Sequence, residues 1–222
     1  MAPKKKETQK KLVTYELNKK PEVYVARIHV QIAGERLLVD RLTPSGAGLD
    51  KKYGETAVTT GDVKPLPVTK KAVFDRAKYR DAKGRDAFPA GGIRSCIRDG
   101  AVELPELSKA GANRAINIVG DMLTLNFKEC RMREDVGRNS GPTGAPRLVI
   151  RPEYVDWSID FEIDLLLNAM NPTECHSLID MAGRVIGIGN WRPGSKKGGS
   201  HGTFTIKKFE VKKQGSPLKA VS

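Results

Sequence analysis

The chain has 222 residues, a formal net charge of +13, 39% hydrophobic residues and only three cysteines. That apolar share is enough for a packed core. No apolar run approaches the ~20 residues a membrane-spanning helix needs, and the N-terminus lacks a secretory h-region. A soluble, cytoplasmic protein is expected. Cys96, Cys130 and Cys175 are too few and too far apart for a zinc site or disulfide framework, and read as reduced, half-buried thiols. His29, His176 and His201 show no metal-ligand spacing, so neither a metal cage nor a cofactor is expected.

The charge is segregated. Residues 1–20 hold seven lysines and two acids, net +5, and residues 187–222 hold eight Lys/Arg and one acid, net +7. The middle of the chain is nearly neutral. Localised positive charge is the footprint of a polyanionic partner. The first 20 residues read as a basic, disordered tail, and residues 214–222 as a C-terminal tail.

In chain order, Tyr24, Ala26, Ile28, Val30 and Ile32 alternate with Arg27, His29 and Gln31, which predicts a half-buried strand over residues 22–33. Residues 42–71 are rich in Gly, Pro and Thr without a period, and form most of a long insert over 42–78. After Pro89, the residues Ile93, Cys96, Ile97, Gly100, Ala101 and Leu104 share one helical face, while Arg94 and Arg98 lie four apart on another. A second helical piece is predicted over residues 109–119. Leu123, Leu125 and Phe127 start a strand reaching Arg133. A second insert, 134–150, includes the loop-like DVGRNSGPTGAP and a short strand over 147–150. Trp157, Ile159, Phe161, Ile163 and Leu165 make the clearest strand. Asn171, Pro172 and Glu174 are an N-cap, a first-turn proline and a third-position acid. Leu178, Ile179, Ala182, Val185 and Ile186 give that helix a buried stripe. A last strand spans 203–211, with a change of apolar phase that predicts a bulge at Lys207 and Lys208.

This order is βαββαβ: an α+β, ferredoxin-like (RRM-like) core in one domain over residues 21–213, with an antiparallel sheet and both helices on one face. Between the second helix and the last strand lies the most distinctive segment, GIGNWRPGSKKGGSHGTFT, residues 187–205. Gly187 and Gly189 allow close approach of a ligand to the backbone. Trp191 offers a face for stacking, and Arg192, Lys196 and Lys197 supply charge for phosphates, with His201 nearby. The combination reads as a site for single-stranded nucleic acid, against the alternative of a Gly/Lys surface loop with Trp191 packed to pin it.

FPAGGIRSCIR, residues 88–98, resembles without gaps the pattern I-P-G-S-S-L-K-G-A-L-R that opens the first helix of RAMP-superfamily proteins. The preceding YRDAKGRD, residues 79–86, is similar to that family's lead-in, and a glycine-rich loop before the last strand is its other hallmark. Ala90, Gly91 and Gly92 stand where the pattern has Gly-Ser-Ser, and Arg94 where it has lysine. The chain is short for a backbone subunit and is similar to small backbone-like proteins of phage genomes. The resemblance implies a ferredoxin-like, RNA-binding subunit of a CRISPR effector complex. Such a protein is non-enzymatic and oligomerises along a single strand, RNA ahead of DNA, beside other effector subunits. It implies phosphate contacts at Arg94, Arg98, Lys196 and Lys197, and a thumb hairpin in residues 42–71 or 136–146.

Two alternatives come from other classes. An RNA endonuclease would need a base or metal-binding acid, for which His29, His201, Asp50, Asp62 and Asp75 are the candidates, none in a paired arrangement. A virion or scaffold protein would use its basic ends only to neutralise packaged nucleic acid.

Overall fold

Ala26, Ile28, Val30 and Ile32 are all fully buried on one face of the first strand, β1 (Tyr24–Leu38). Fully burying one such aliphatic side chain contributes about 1.5–3 kcal/mol, so this row fixes the strand's facing and register. The strand runs past Ala33 because Leu37 and Leu38 are buried too. The computed structural model describes residues 23–41, 69–104, 107–138, 146–196 and 198–217. The basic tail, residues 42–68, most of the loop-like DVGRNSGPTGAP segment, Lys197 and the last five residues lie outside the described residues.

The elements after β1 are α1 (Lys70–Arg76), β2 (Tyr79–Arg80), β3 (Asp86–Pro89), α2 (Ala90–Gly100), a 3-10 turn (Ala101–Glu103), α3 (Lys109–Ala115), β4 (Ile116–Ile118), β5 (Met122–Asn126), β6 (Glu129–Arg138), β7 (Pro146–Leu166), α4 (Pro172–Val185) and β8 (Thr205–Pro217). In the central sheet β8 pairs with β1, β1 with β7, and β7 with β4, all antiparallel. Relabelled as the four core strands, that order is 4-1-3-2, the ferredoxin-like arrangement expected. Its spine is the 21-residue β7, which carries β4, β5 and β6 in turn along one edge. Gln31 faces Lys208 and Ile32 faces Ile206, so Lys207 is the extra residue of the predicted bulge.

Three expectations need correction. The helix predicted over 109–119 stops at Ala115, because Ile116 and Ile118 are buried with Asn117 exposed between them, a strand period that docks on β7. The strand from Leu123 is two strands, β5 and β6. The short strand at 147–150 is the start of β7, and much of the second insert is the β6–β7 hairpin.

Helix α2 buries Ala90, Ile93, Cys96, Ile97 and Gly100, and α4 buries Cys175, Leu178, Ile179, Ala182 and Gly183. The capping box of α4 forms as expected: Glu174 N donates to Asn171 Oδ1 at 2.9 Å and Asn171 N to Glu174 Oε2 at 3.0 Å. The two helices touch where a Cβ on Gly100 would lie 2.6 Å from that of Ala182. Cys96 Sγ reaches Ala182 O at 3.4 Å in the same contact. That contact lies at the end of α2, and Gly92 and Ser95, nearer its start, share a cleft with Gly187 just beyond α4. Burial pushes the Cys96 and Cys175 thiols up to about 12, which keeps them as inert core residues. No helix among the described residues is long and apolar enough to cross a membrane.

Candidate nucleic-acid interface

The glycine loop is stitched to the end of β1 rather than free. Asn190 N donates to Leu38 O at 2.7 Å, Gly202 N to Arg36 O at 2.7 Å, and Ile188 N to Gly202 O at 2.9 Å. Two glycines make this course possible. Gly189 has φ +73 and a Cβ there would fall 2.4 Å from Leu38 O. At Gly202 (φ +71) it would fall 1.7 Å from Ile188 O. Neither position admits a side chain. Gly187 also has positive φ, at the end of α4.

Through these bonds the two sequence motifs meet. A cleft of about 220 Å3 lies between them, lined by Phe88, Gly92 and Ser95 of the helix motif and by Gly187, Gly189 and Arg192 of the loop, with Asp40 and Tyr79 completing the wall. Arg192 Nη1 donates to Gly189 O at 3.0 Å, which holds its guanidinium at this cleft. A larger, open cleft of about 700 Å3 lies beside Gly34, Trp157 and Thr203. Its wall balances Glu35 and Asp156 against Arg184 and Lys207, so it has no bias toward a polyanion, and the helix motif takes no part in it.

Arg94 and Arg98 do not line the smaller cleft. Helical geometry sets Gly92 and Ser95 on the face turned to the loop and the arginines on another. Arg94 Nε and Nη2 donate to Asn113 Oδ1 and O at 3.0 and 3.1 Å, tying α2 to α3, and Arg98 bonds Asp99 Oδ1 at 3.2 Å. Lys196 is exposed.

His201 is 6% exposed and turned inward, its Nε2 3.1 Å from Glu153 Oε1 and 3.2 Å from Arg133 Nη1. An ionised carboxylate only accepts, so in this contact His201 Nε2 is the donor, and Arg133 Nη1 donates to the same oxygen at 3.1 Å. His201 therefore anchors the loop from below. Burial raises the Glu153 carboxyl, but hydrogen bonds from His201 and Arg133 and their charges outweigh it and hold it below the usual carboxylate range.

Trp191 is 39% exposed, at an unusual φ of +55 for a bulky residue. The guanidinium carbons of Arg133 and Arg151 lie 4.9 and 5.4 Å from its ring centroid, and the His201 ring lies 6.1 Å away. Arg133 and Arg151 face each other across the β6–β7 ladder, a like-charge pair that is unfavourable alone. Asp135 and Glu153 offset Arg133, and Asp40 sits 3.7 Å from Arg151. Sequence reading missed Arg133, Arg151 and Glu153, because hairpin register is not visible in composition or periodicity.

The sheet face away from the helices is laced with ion pairs. Arg27 pairs with Asp164 and Glu162, Lys212 with Glu162, and His29 lies 3.4 Å from Asp160. Among the described side chains, four acids (Asp160, Glu162, Asp164, Glu210) stand there beside Arg27, Lys208 and Lys212. Among the described residues no group of three or more His, Cys, Asp or Glu is placed to hold a metal ion. Of the candidates for strand cleavage, Asp50 and Asp62 lie outside the described residues and Asp75 sits on α1.

No family model matches the chain, and no curated protein matches it in sequence. Among solved structures it is similar to a chain of the cryo-EM structure of the Type III-B Cmr-beta bound to cognate target RNA, with 15% identity and a TM-score of 0.46. The match covers 85% of this chain and 61% of that one. So loose a likeness carries no functional argument.

Proposed function

We propose that the chain is a non-enzymatic protein that binds single-stranded nucleic acid, RNA ahead of DNA. What carries the reading is the convergence of two motifs, far apart in sequence, on one cleft: the FPAGGIRS helix start and the GIGNWR loop. A glycine backbone and a fixed guanidinium at one cleft, with an exposed lysine further along the same loop, are what a sugar-phosphate chain requires. Arg192 and Lys196, with Lys197 beside it, hold phosphates; Arg94 and Arg98 serve a strand that continues over the outer flank of α2. The RAMP resemblance of these motifs adds a second layer. Copies line up along one strand as a backbone, with residues 136–146 or 42–71 reaching the neighbour, beside other effector subunits. A head-to-tail contact of this kind need not close.

The test is binding of labelled single-stranded and duplex oligonucleotides at increasing salt, with light scattering on strands of increasing length. Single-strand preference, an affinity loss of at least about tenfold from low to physiological salt, and particles that grow with strand length are expected. Flat salt dependence or duplex preference overturns the binding reading. A monomer at every length overturns only the backbone assembly.

A further inference from the structure

We infer that Trp191 stacks one base of the bound strand, and that Arg133 and Arg151 are positioning residues that hold its ring, which rests on the nucleic-acid reading above. Of the two tryptophans in the chain, Trp157 is 1% exposed and Trp191 39%. An indole that served only to pin the loop would bury its ring, as Trp157 does. Trp191 is left open, and at a φ of +55, a conformation that a bulky side chain rarely adopts. Strain of this kind persists only where the surroundings enforce it, and here they do. Trp191 O accepts from His201 N at 3.0 Å, and a Cβ on Gly199 would fall 1.8 Å from the same oxygen, so the loop closes tightly on this one residue.

The ring is held from the neighbouring hairpin. The guanidinium carbons of Arg133 and Arg151, at 4.9 and 5.4 Å from its centroid, are both within cation–π range. The two arginines stand directly opposite each other in the β6–β7 ladder, and the electron-rich ring offsets some of the repulsion between them. Both are already engaged. Arg133 donates to Glu153 and to Asp135 at 3.1 Å, and the Arg151 side chain is 13% exposed with Asp40 at 3.7 Å. Their contribution to binding therefore runs through the ring. Asn190 and Arg192 line the cleft beside α2, whereas Trp191, between them in sequence, does not. A strand whose phosphate meets Arg192 thus passes the open indole, and a flat base is the part of it that an aromatic surface takes up. Every base has such a face, so the contact carries little sequence preference.

The experiment titrates the full chain with oligouridine and with an abasic ribose-phosphate strand of the same length, in wild type, Trp191→Ala, Arg151→Ala and the double variant, with thermal melts confirming that each folds. Trp191→Ala is expected to weaken oligouridine binding about 5- to 150-fold, the loss of one stacked base, and to leave the abasic strand's affinity unchanged. Bound oligouridine should protect wild-type Trp191 from acrylamide quenching, and the bound abasic strand should not. Arg151→Ala should weaken oligouridine binding without changing the slope of log affinity against log salt, whereas loss of a phosphate contact would lower that slope by about 0.7. Added to Trp191→Ala, it should weaken binding no further. Equal oligouridine affinity in wild type and Trp191→Ala, no protection by bound oligouridine, or equal protection by both strands overturns the stacking assignment while leaving nucleic-acid binding standing. The protection readout needs no variant, so it decides the assignment even where Trp191→Ala does not fold. A changed salt slope in Arg151→Ala overturns its positioning role. Failure of wild type to bind either strand overturns the nucleic-acid reading and the platform with it.

Discussion

Glu153→Ala is the substitution that most directly probes how the glycine loop is held. The carboxylate is 7% exposed and accepts from His201 Nε2 and Arg133 Nη1, both at 3.1 Å, with Arg36 Nη1 at 3.8 Å. Removing one partner of a buried pair costs about 3–5 kcal/mol, because the remaining charge is left uncompensated. Arg133 keeps Asp135 at 3.1 Å and is 27% exposed, so the lower end, about 3 kcal/mol, applies. At ~2–4 °C per kcal/mol for a chain of this size, the melting temperature should fall by about 6–12 °C. Glu153→Gln keeps an acceptor and should lose about half as much. Circular-dichroism melts measure this, with Glu129→Ala as control. Glu129 pairs with Arg131 on the surface, and exposed pairs contribute little. Acrylamide quenching adds a local readout, since Trp191 is 39% exposed and Trp157 only 1%. Trp191 should become more quenchable in Glu153→Ala. A melt within about 2 °C of wild type, under 1 kcal/mol for this size, or equal losses in Glu153→Ala and Glu129→Ala, would refute the hub.

Three further outcomes are expected. Because the folded-state carboxyl of Glu153 lies below its usual range, its contribution is complete above the unfolded value of ~4.3 and is lost as pH falls through the folded value. Trp191 quenching should therefore rise below about pH 4 in wild type and show no such step in Glu153→Gln. Gly202→Ala should lower the melting temperature more than Gly198→Ala. Both have positive φ, but a Cβ at 202 strikes Ile188 O at 1.7 Å while at 198 it meets nothing within 4 Å. Finally, Arg192→Ala should weaken oligonucleotide binding more than the Arg94→Ala, Arg98→Ala pair. Arg94→Ala should instead speed hydrogen exchange in residues 109–115, the helix it ties through Asn113.

The sequence by itself determined those features that depend on local period and local chemistry. Alternation in β1 and in the second half of β7, the stripe of α2, that of α4 apart from Val185, which is 37% exposed, the capping box at Asn171 and Glu174, and the bulge at Lys207 all follow from neighbours within a few residues. Together they were enough for the strand order of a ferredoxin-like core. Tertiary structure decided what depends on partners distant in the chain. Ile116 and Ile118 join the sheet only because β7 offers them an edge. Helix phase turns Gly92 and Ser95, and not Arg94, toward the glycine loop. His201 faces inward because Glu153 lies 48 positions away in sequence yet 3.1 Å away in space. The contact of Trp191 with Arg133 and Arg151 needs the β6–β7 register, set by pairing along a ladder rather than by either strand alone. A glycine-rich loop thus announces itself in sequence through composition, whereas the charges and the cleft that surround it are made by packing.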